Sequence, residues 1–324
     1  MKTIIISLVF LLSLSLSEAS SKTWIVTSNA DAGANSLRDM LARAEDGDNI
    51  KFALPAGKEI ISLNSDLMVQ DKSVIIDGSN AEQGSGYPVT VQVLNPGQSP
   101  FRVFTLNPGF RRLVTLMNMT LRGGDVSESS TLPDGGVILL ELDGALMLSR
   151  CIIRDGRARN GGGIYSGGEF NRGSLVIRDC DITQNAAASE MGEACGGGIY
   201  VCFGVTILNS SRIYENTSQT HSGGFYIFNA TGRINNSSIY GNTVKEGAAN
   251  EGTFCGPSLS ISESFITNIR SSTIAEKYPS PAHSRSNLKK PYSGSPPAVK
   301  AVNRNPVREI PMTLANLMLS SLQP

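Results

Sequence analysis

Gly135-Gly136-Val137-Ile138, Gly161-Gly162-Gly163-Ile164-Tyr165, Gly196-Gly197-Gly198-Ile199-Tyr200 and Gly223-Gly224-Phe225-Tyr226 are four versions of one unit. From Ile138 to Ile164, Ile199 and Phe225 the steps are 26, 35 and 26 residues. The longer step reads as the same period with an insertion in the Ala-rich stretch 186–194. A fixed period of this size describes a stack of similar units, each touching mainly its neighbours.

A second pattern lies inside each unit. Leu146 to Ile153 and Leu175 to Ile182 both carry two apolar residues two apart, a turn, a small residue and a second short apolar run; 206–213, 234–239 and 259–266 fit the same frame. The small position is Cys151, Cys180, Ser211, Ser237 and Ser264, where a tight inward bend demands a small side chain. Downstream, Asn185, Asn216 and Asn242 share one aligned position, and stacked Asn residues form amide ladders. Three strands per unit of about 26 residues suit an all-β chain coiled as a right-handed parallel β-helix, with side chains alternating in and out. Propeller blades need ~40 residues or more, which does not match. Over 49–269 the expectation is roughly nine rungs, at ~4.8 Å each.

Before the repeats, Thr23 to Asn29 reads as a strand and the next segment as a helix. Ser36 is the N-cap with Asp39 three residues on, Leu37, Met40, Leu41 and Ala44 share one face, and Gly47 sits where a left-handed stop is expected. Residues 20–48 are therefore expected to cap the open end of the stack. Residues 1–19 carry Lys2, an apolar run from Ile4 to Leu16 and Ser17-Glu18-Ala19, the pattern of a secretory signal peptide. The segment 270–324 holds Pro279, Pro281, Pro291, Pro296, Pro297, Pro306 and Pro311 among Ser, Lys and Arg and is expected to be disordered. The expected location is extracellular, secreted or at the cell surface, with no membrane span after signal removal.

Charge is balanced at 28 basic and 28 acidic residues, which removes the electrostatic case for nucleic acid. Five Cys follow the signal segment, an odd number, so at least one thiol is unpaired or paired between chains. With no CxxC and two His, no metal site is expected, and no cofactor.

Trp24-Ile25-Val26-Thr27, Asp31-Ala32-Gly33, Ser36-Leu37-Arg38-Asp39-Met40-Leu41 and Gly47-Asp48-Asn49-Ile50-Lys51-Phe52 resemble the CSLREA-type N-terminal cap of secreted parallel β-helix proteins. Asn35 stands where that family often has Cys, and Met40 where Ala is common. The GG[GAV]I and IxxN repeats resemble those of polymorphic outer-membrane-protein and pectin-lyase-like repeats. The resemblance covers about 23–269. It implies an extracellular or surface β-helix, adhesive or of unknown role.

The fold hosts lyases and polygalacturonases, yet Asn216-Thr217-Ser218 and Asn242-Thr243-Val244 lack the Asp of the first polygalacturonase motif, and the other motifs are missing. Asp179 and Asp181 read as two carboxylates on one strand, with Arg150 aligned to Asp179 as a surface ion pair. His221 reads as a loop histidine without a partner. No catalytic residue is nominated. The Gly-rich segments lack the Lys-Ser/Thr of a phosphate loop. Tyr165, Tyr200 and Tyr226, and separately Tyr214 and Tyr240, form two outward rows by alternation. Such rows are either a platform for sugar rings or a protein partner, or cross-strand stacking that stabilises the sheet. Sequons at Asn118, Asn209, Asn216, Asn229, Asn235 and Asn236 are candidate glycan acceptors, or simply turn material. The favoured reading is a non-catalytic adhesion or glycan-binding module whose partner is a polysaccharide or a surface protein. The alternatives are a polysaccharide lyase or glycoside hydrolase, or a truncated copy of a larger surface protein.

Overall fold

A computed structural model describes residues 21–276, except 82–88, 95–99, 130, 142–143, 168–172, 191, 246–251, 256–257, 263, 267–268 and 271–273. The chain divides into two compact units, Met1–Lys289 and Lys290–Pro324, and the described residues all belong to the first. The expected signal peptide and most of the Pro-rich tail lie outside the described residues.

The described residues form an all-parallel β-solenoid of about seven turns rather than nine. The first two long-sheet steps are 26 residues, Thr23 to Asn49 and Asp48 to Val74, but the next are longer: Val74 registers with Val114, Leu113 with Ala145, and Ala145 with Ser174. The long sheet has ten strands, from Thr23–Val26 to Ile274–Glu276. The second and third sheets have eight each, from Ile60–Leu63 to Phe265–Ile266 and from Leu67–Gln70 to Ile269–Arg270. Strand pairing thus continues past residue 269. A fourth, short sheet of four two-residue strands, Arg157–Ala158, Ala186–Ala187, Thr217–Ser218 and Thr243–Val244, was not expected from the sequence.

The repeated glycines answer to this short sheet. A Cβ on Gly162 would meet the Ala186 carbonyl oxygen at 2.4 Å, and one on Gly197 the Thr217 carbonyl oxygen at 2.0 Å. The backbones approach too closely for any side chain. The bend from the long to the second sheet uses one left-handed residue per turn: Asn118, Arg150, Asp179, Ser210 and Asn236 have φ between 44° and 54°. Met119 follows Asn118, but after Arg150, Asp179, Ser210 and Asn236 a small residue follows at once and faces inward. Its ladder is continuous: the Cys151 N–H donates to Cys180 Sγ, the Cys180 N–H to Ser211 Oγ, the Ser211 N–H to Ser237 Oγ, and the Ser237 N–H to Ser264 Oγ.

The asparagine column forms as expected. Asn185, Asn216 and Asn242 are 1%, 0% and 1% exposed. The Asn185 amide donates to Asn216 Oδ1 at 3.0 Å, and the Asn216 amide to Asn242 Oδ1 at 2.9 Å. Much of the remaining lumen is apolar, with Leu148, Ile177, Leu208 and Ile234 in register in successive long-sheet strands. Each such side chain contributes about 1.5–3 kcal/mol by burial.

The helix spans Leu37–Arg43, with Ser36 Oγ accepting the Asp39 N–H, and Leu37, Met40 and Leu41 buried in the same core. It stops earlier than the Gly47 signal suggests, at an extended Ala44. Lys72 Nζ donates to the Leu41 and Ala44 carbonyls at 2.7 Å each, satisfying C-terminal acceptors.

Candidate functional site

On the third sheet the outward row runs Met68, Thr105, Leu139, Tyr165, Tyr200 and Tyr226, in register. Tyr165 and Tyr200 stack with centroids 5.2 Å apart at 6°, and Tyr200 and Tyr226 at 5.1 Å and 22°. All three rings are half-buried. Burial, with the Cys202 thiol and the neighbouring Tyr165 and Tyr226 phenols, pushes the Tyr200 hydroxyl well above its ordinary range, so it stays protonated. His221 has partners that its sequence context did not reveal. Its ring packs 6.4 Å from Tyr226, and Nε2 lies 3.7 Å from Glu193 Oε1.

Tyr214 and Tyr240 stack on the second sheet, 5.4 Å apart at 5°. Their row continues back through Thr183, Arg154 and Arg122. The parallel row carries Asp181 and Arg212, which form a two-point pair at 2.6 and 2.5 Å. The Arg212 guanidinium sits 5.6 Å from the Tyr214 ring. The hydrogen bonds and charge of Asp181 hold the Arg212 pKa above its ordinary value. The five tyrosines therefore belong to two faces, and no single surface unites them. Ring planes lie against one another along each row, so an approaching ligand meets edges and hydroxyls rather than open ring faces.

The expected Arg150–Asp179 ion pair is replaced. Asp179 and Arg150 are the left-handed bend residues of successive turns. Arg150 Nε donates to Asn118 Oδ1, while Asp181 pairs with Arg212. Other described carboxylates also face arginines: Asp155 meets Arg154 and Arg122, and Asp134 meets Arg159. Among the described residues, no group of three or more His, Cys, Asp or Glu could hold a metal ion.

A cavity of about 660 Å³ lies beside the helix, lined by Arg38, Leu41, Asn64, Asp66, Met68 and Phe101 among others. Its polar wall is already engaged. Arg38 donates to the Asp66 and Ser65 carbonyls and to Asp31 Oδ1. Asp66 accepts from the Arg102 N–H, the Arg102 guanidinium and the Thr105 hydroxyl. Arg102 is 5% exposed and also donates to the Gly135 and Leu132 carbonyls. Nothing local in the sequence links residues 66, 102 and 135, which three successive turns bring together.

The sequons separate by burial. Asn216 sits in the lumen with its amide fully engaged, and Asn118 is buried between Asp77 and Arg150. Asn209 and Asn235 are half-buried and bond each other at 2.8 Å. Asn229 and Asn236 are exposed on left-handed bends.

No protein-family model matches the chain, and no curated protein is similar to it in sequence.

Proposed function

We propose that this chain is a non-catalytic binding module, acting outside the cell or at its surface, that engages an extended polysaccharide lying along the solenoid axis. The observation that carries the reading is the outward second-sheet row, where Tyr214 and Tyr240 repeat at 5.4 Å beside the Asp181–Arg212 pair. The two stacked phenols present their hydroxyls one turn apart. An extended polymer with a similar repeat meets them in step, and the carboxylate and guanidinium supply planar hydrogen bonding alongside. Both rows are half-buried; the third-sheet row, where burial holds the Tyr200 hydroxyl well above its ordinary range, is assigned to cross-strand stacking and stability.

The resemblance of residues 23–52 to a CSLREA-type cap and of the repeats to surface β-helix proteins supports an extracellular setting, with the helix covering the first turn. Each carboxylate near an arginine is held as its partner, which favours binding over acid–base chemistry.

The test is retention of the folded protein on a panel of plant, algal and bacterial polysaccharides, with reducing ends and unsaturated uronates assayed in parallel. Binding to at least one polymer is expected, weakened tenfold or more by Tyr214→Ser with Tyr240→Ser, at little change in melting temperature. Binding that survives this double substitution, or product formation, would overturn the reading.

A further inference from the structure

Cys151 and Cys180 occupy the same position in consecutive turns. The flanking pairs fix this: Ser149 registers with Arg178 and Ile152 with Asp181. The Asp181 N–H donates to the Cys151 carbonyl at 2.9 Å, and the Cys151 N–H donates to Cys180 Sγ at 3.3 Å. The two backbones are thus one strand spacing apart, ~4.8 Å, inside the ~4.4–6.8 Å between Cα atoms that a disulfide spans. Both side chains point into the lumen, at 0% and 2% exposure. In the later turns Ser211, Ser237 and Ser264 hold this position. Hydroxyl and thiol serve the backbone ladder alike, so the ladder by itself does not require sulfur at the first two places.

The other cysteines are placed differently. Cys202 registers with Phe228, and Phe228 with Cys255, so these two cysteines stand two turns apart, about 9.6 Å at one strand spacing per turn. That exceeds the reach of a disulfide without backbone movement. Cys195 lies opposite His221.

We propose that Cys151 and Cys180 are a disulfide site that staples two consecutive turns at the middle of the solenoid when the chain folds under oxidising conditions. Two S–H bonds break and one S–S bond forms. The two electrons and two protons pass to a disulfide oxidant such as glutathione disulfide, which leaves as two thiols. Closing the bond takes the Cys151 thiol off the Leu116 and Ser149 carbonyls and the Cys180 thiol off the Arg178 carbonyl. Burial and the adjacent Cys151 raise the Cys180 pKa, so its thiolate is scarce in the folded protein. Oxidation therefore accompanies folding, before the lumen closes. The inference does not depend on the polysaccharide reading.

The chain, reduced and unfolded, is refolded in a glutathione disulfide/glutathione buffer, alkylated in denaturant, digested without reduction and analysed by mass spectrometry. A fragment containing residue 151 joined to one containing residue 180, two hydrogens lighter than the sum of the free thiol peptides, is the expected result. Full alkylation of both cysteines would overturn the proposal. The double variant Cys151→Ser with Cys180→Ser keeps the ladder, because serine already serves there. Wild type refolded oxidised should melt about 5–10 °C above its reduced form, and the double variant should show no such difference. A redox shift that persists in the double variant would assign the bond to other cysteines and refute the pair.

Discussion

Replacing Asn216 by Ala tests whether the amide ladder holds the turns together. Asn216 Oδ1 accepts both the Asn185 N–H and the Asn185 side-chain amide, at 3.0 Å each. Its own amide donates to the Ile182 carbonyl and to Asn242 Oδ1, at 2.9 Å each. Alanine removes these groups from a site with no solvent access. Two donors on Asn185 and acceptors on Ile182 and Asn242 each lose a partner. A buried unsatisfied group costs ~1–3 kcal/mol, and relaxation recovers part of the sum, leaving a loss of about 3–6 kcal/mol. At ~2–4 °C per kcal/mol, the melting temperature falls by about 6–24 °C. Because stacked units couple mainly to their neighbours, hydrogen exchange should show protection lost first at the amides of 185, 216 and 243. Asn235→Ala is the control: a half-buried side chain of the same type, expected to cost about 1 kcal/mol or less. If the folded Asn216→Ala protein melts no lower than Asn235→Ala, the reasoning fails.

Two further perturbations follow from buried charge. Asp66→Ala leaves the Arg102 guanidinium buried without its carboxylate, and a loss of about 3–5 kcal/mol is expected in chemical denaturation; a loss below about 1 kcal/mol refutes the assignment. The Asp48 carboxyl is raised by burial but lowered more by the Glu45 N–H, the Trp24 indole and the Lys22 N–H, leaving it net below its ordinary value. A depressed folded pKa contributes stability that is present above the unfolded value, ~3.9, and lost as pH falls through the folded one. Melting temperature should therefore drop below about pH 4 by a smaller amount in Asp48→Asn than in wild type, and equal acid profiles would remove Asp48 from the account.

Features that recur at fixed spacing were legible in the sequence, because every turn repeats the demand of the one before. The Gly-Gly units, the small column from Cys151 to Ser264 and the Asn column each announce a parallel stack. The strands at 60–63, 67–69, 89–93 and 114–116 were readable from alternation alone. The short sheet was not, since two-residue strands carry no period; only the missing Cβ at Gly162 and Gly197 marks where it passes. The pairing of Asp181 with Arg212 rather than of Asp179 with Arg150 was hidden for a similar reason. Alignment gives the position in the turn, while a left-handed bend at Asp179 takes that carboxylate off the strand.

The sequence by itself determined the solenoid, its inward columns and the alternation that turns five tyrosines outward, because these follow from local period and side-chain size. The tertiary structure decided what those outward residues present. Contact between turns sets ring against ring in both rows, divides the tyrosines between two faces, and joins Asp66 to Arg102 across 36 residues of chain. Register across turns of unequal length fixes those contacts, and no single turn contains it.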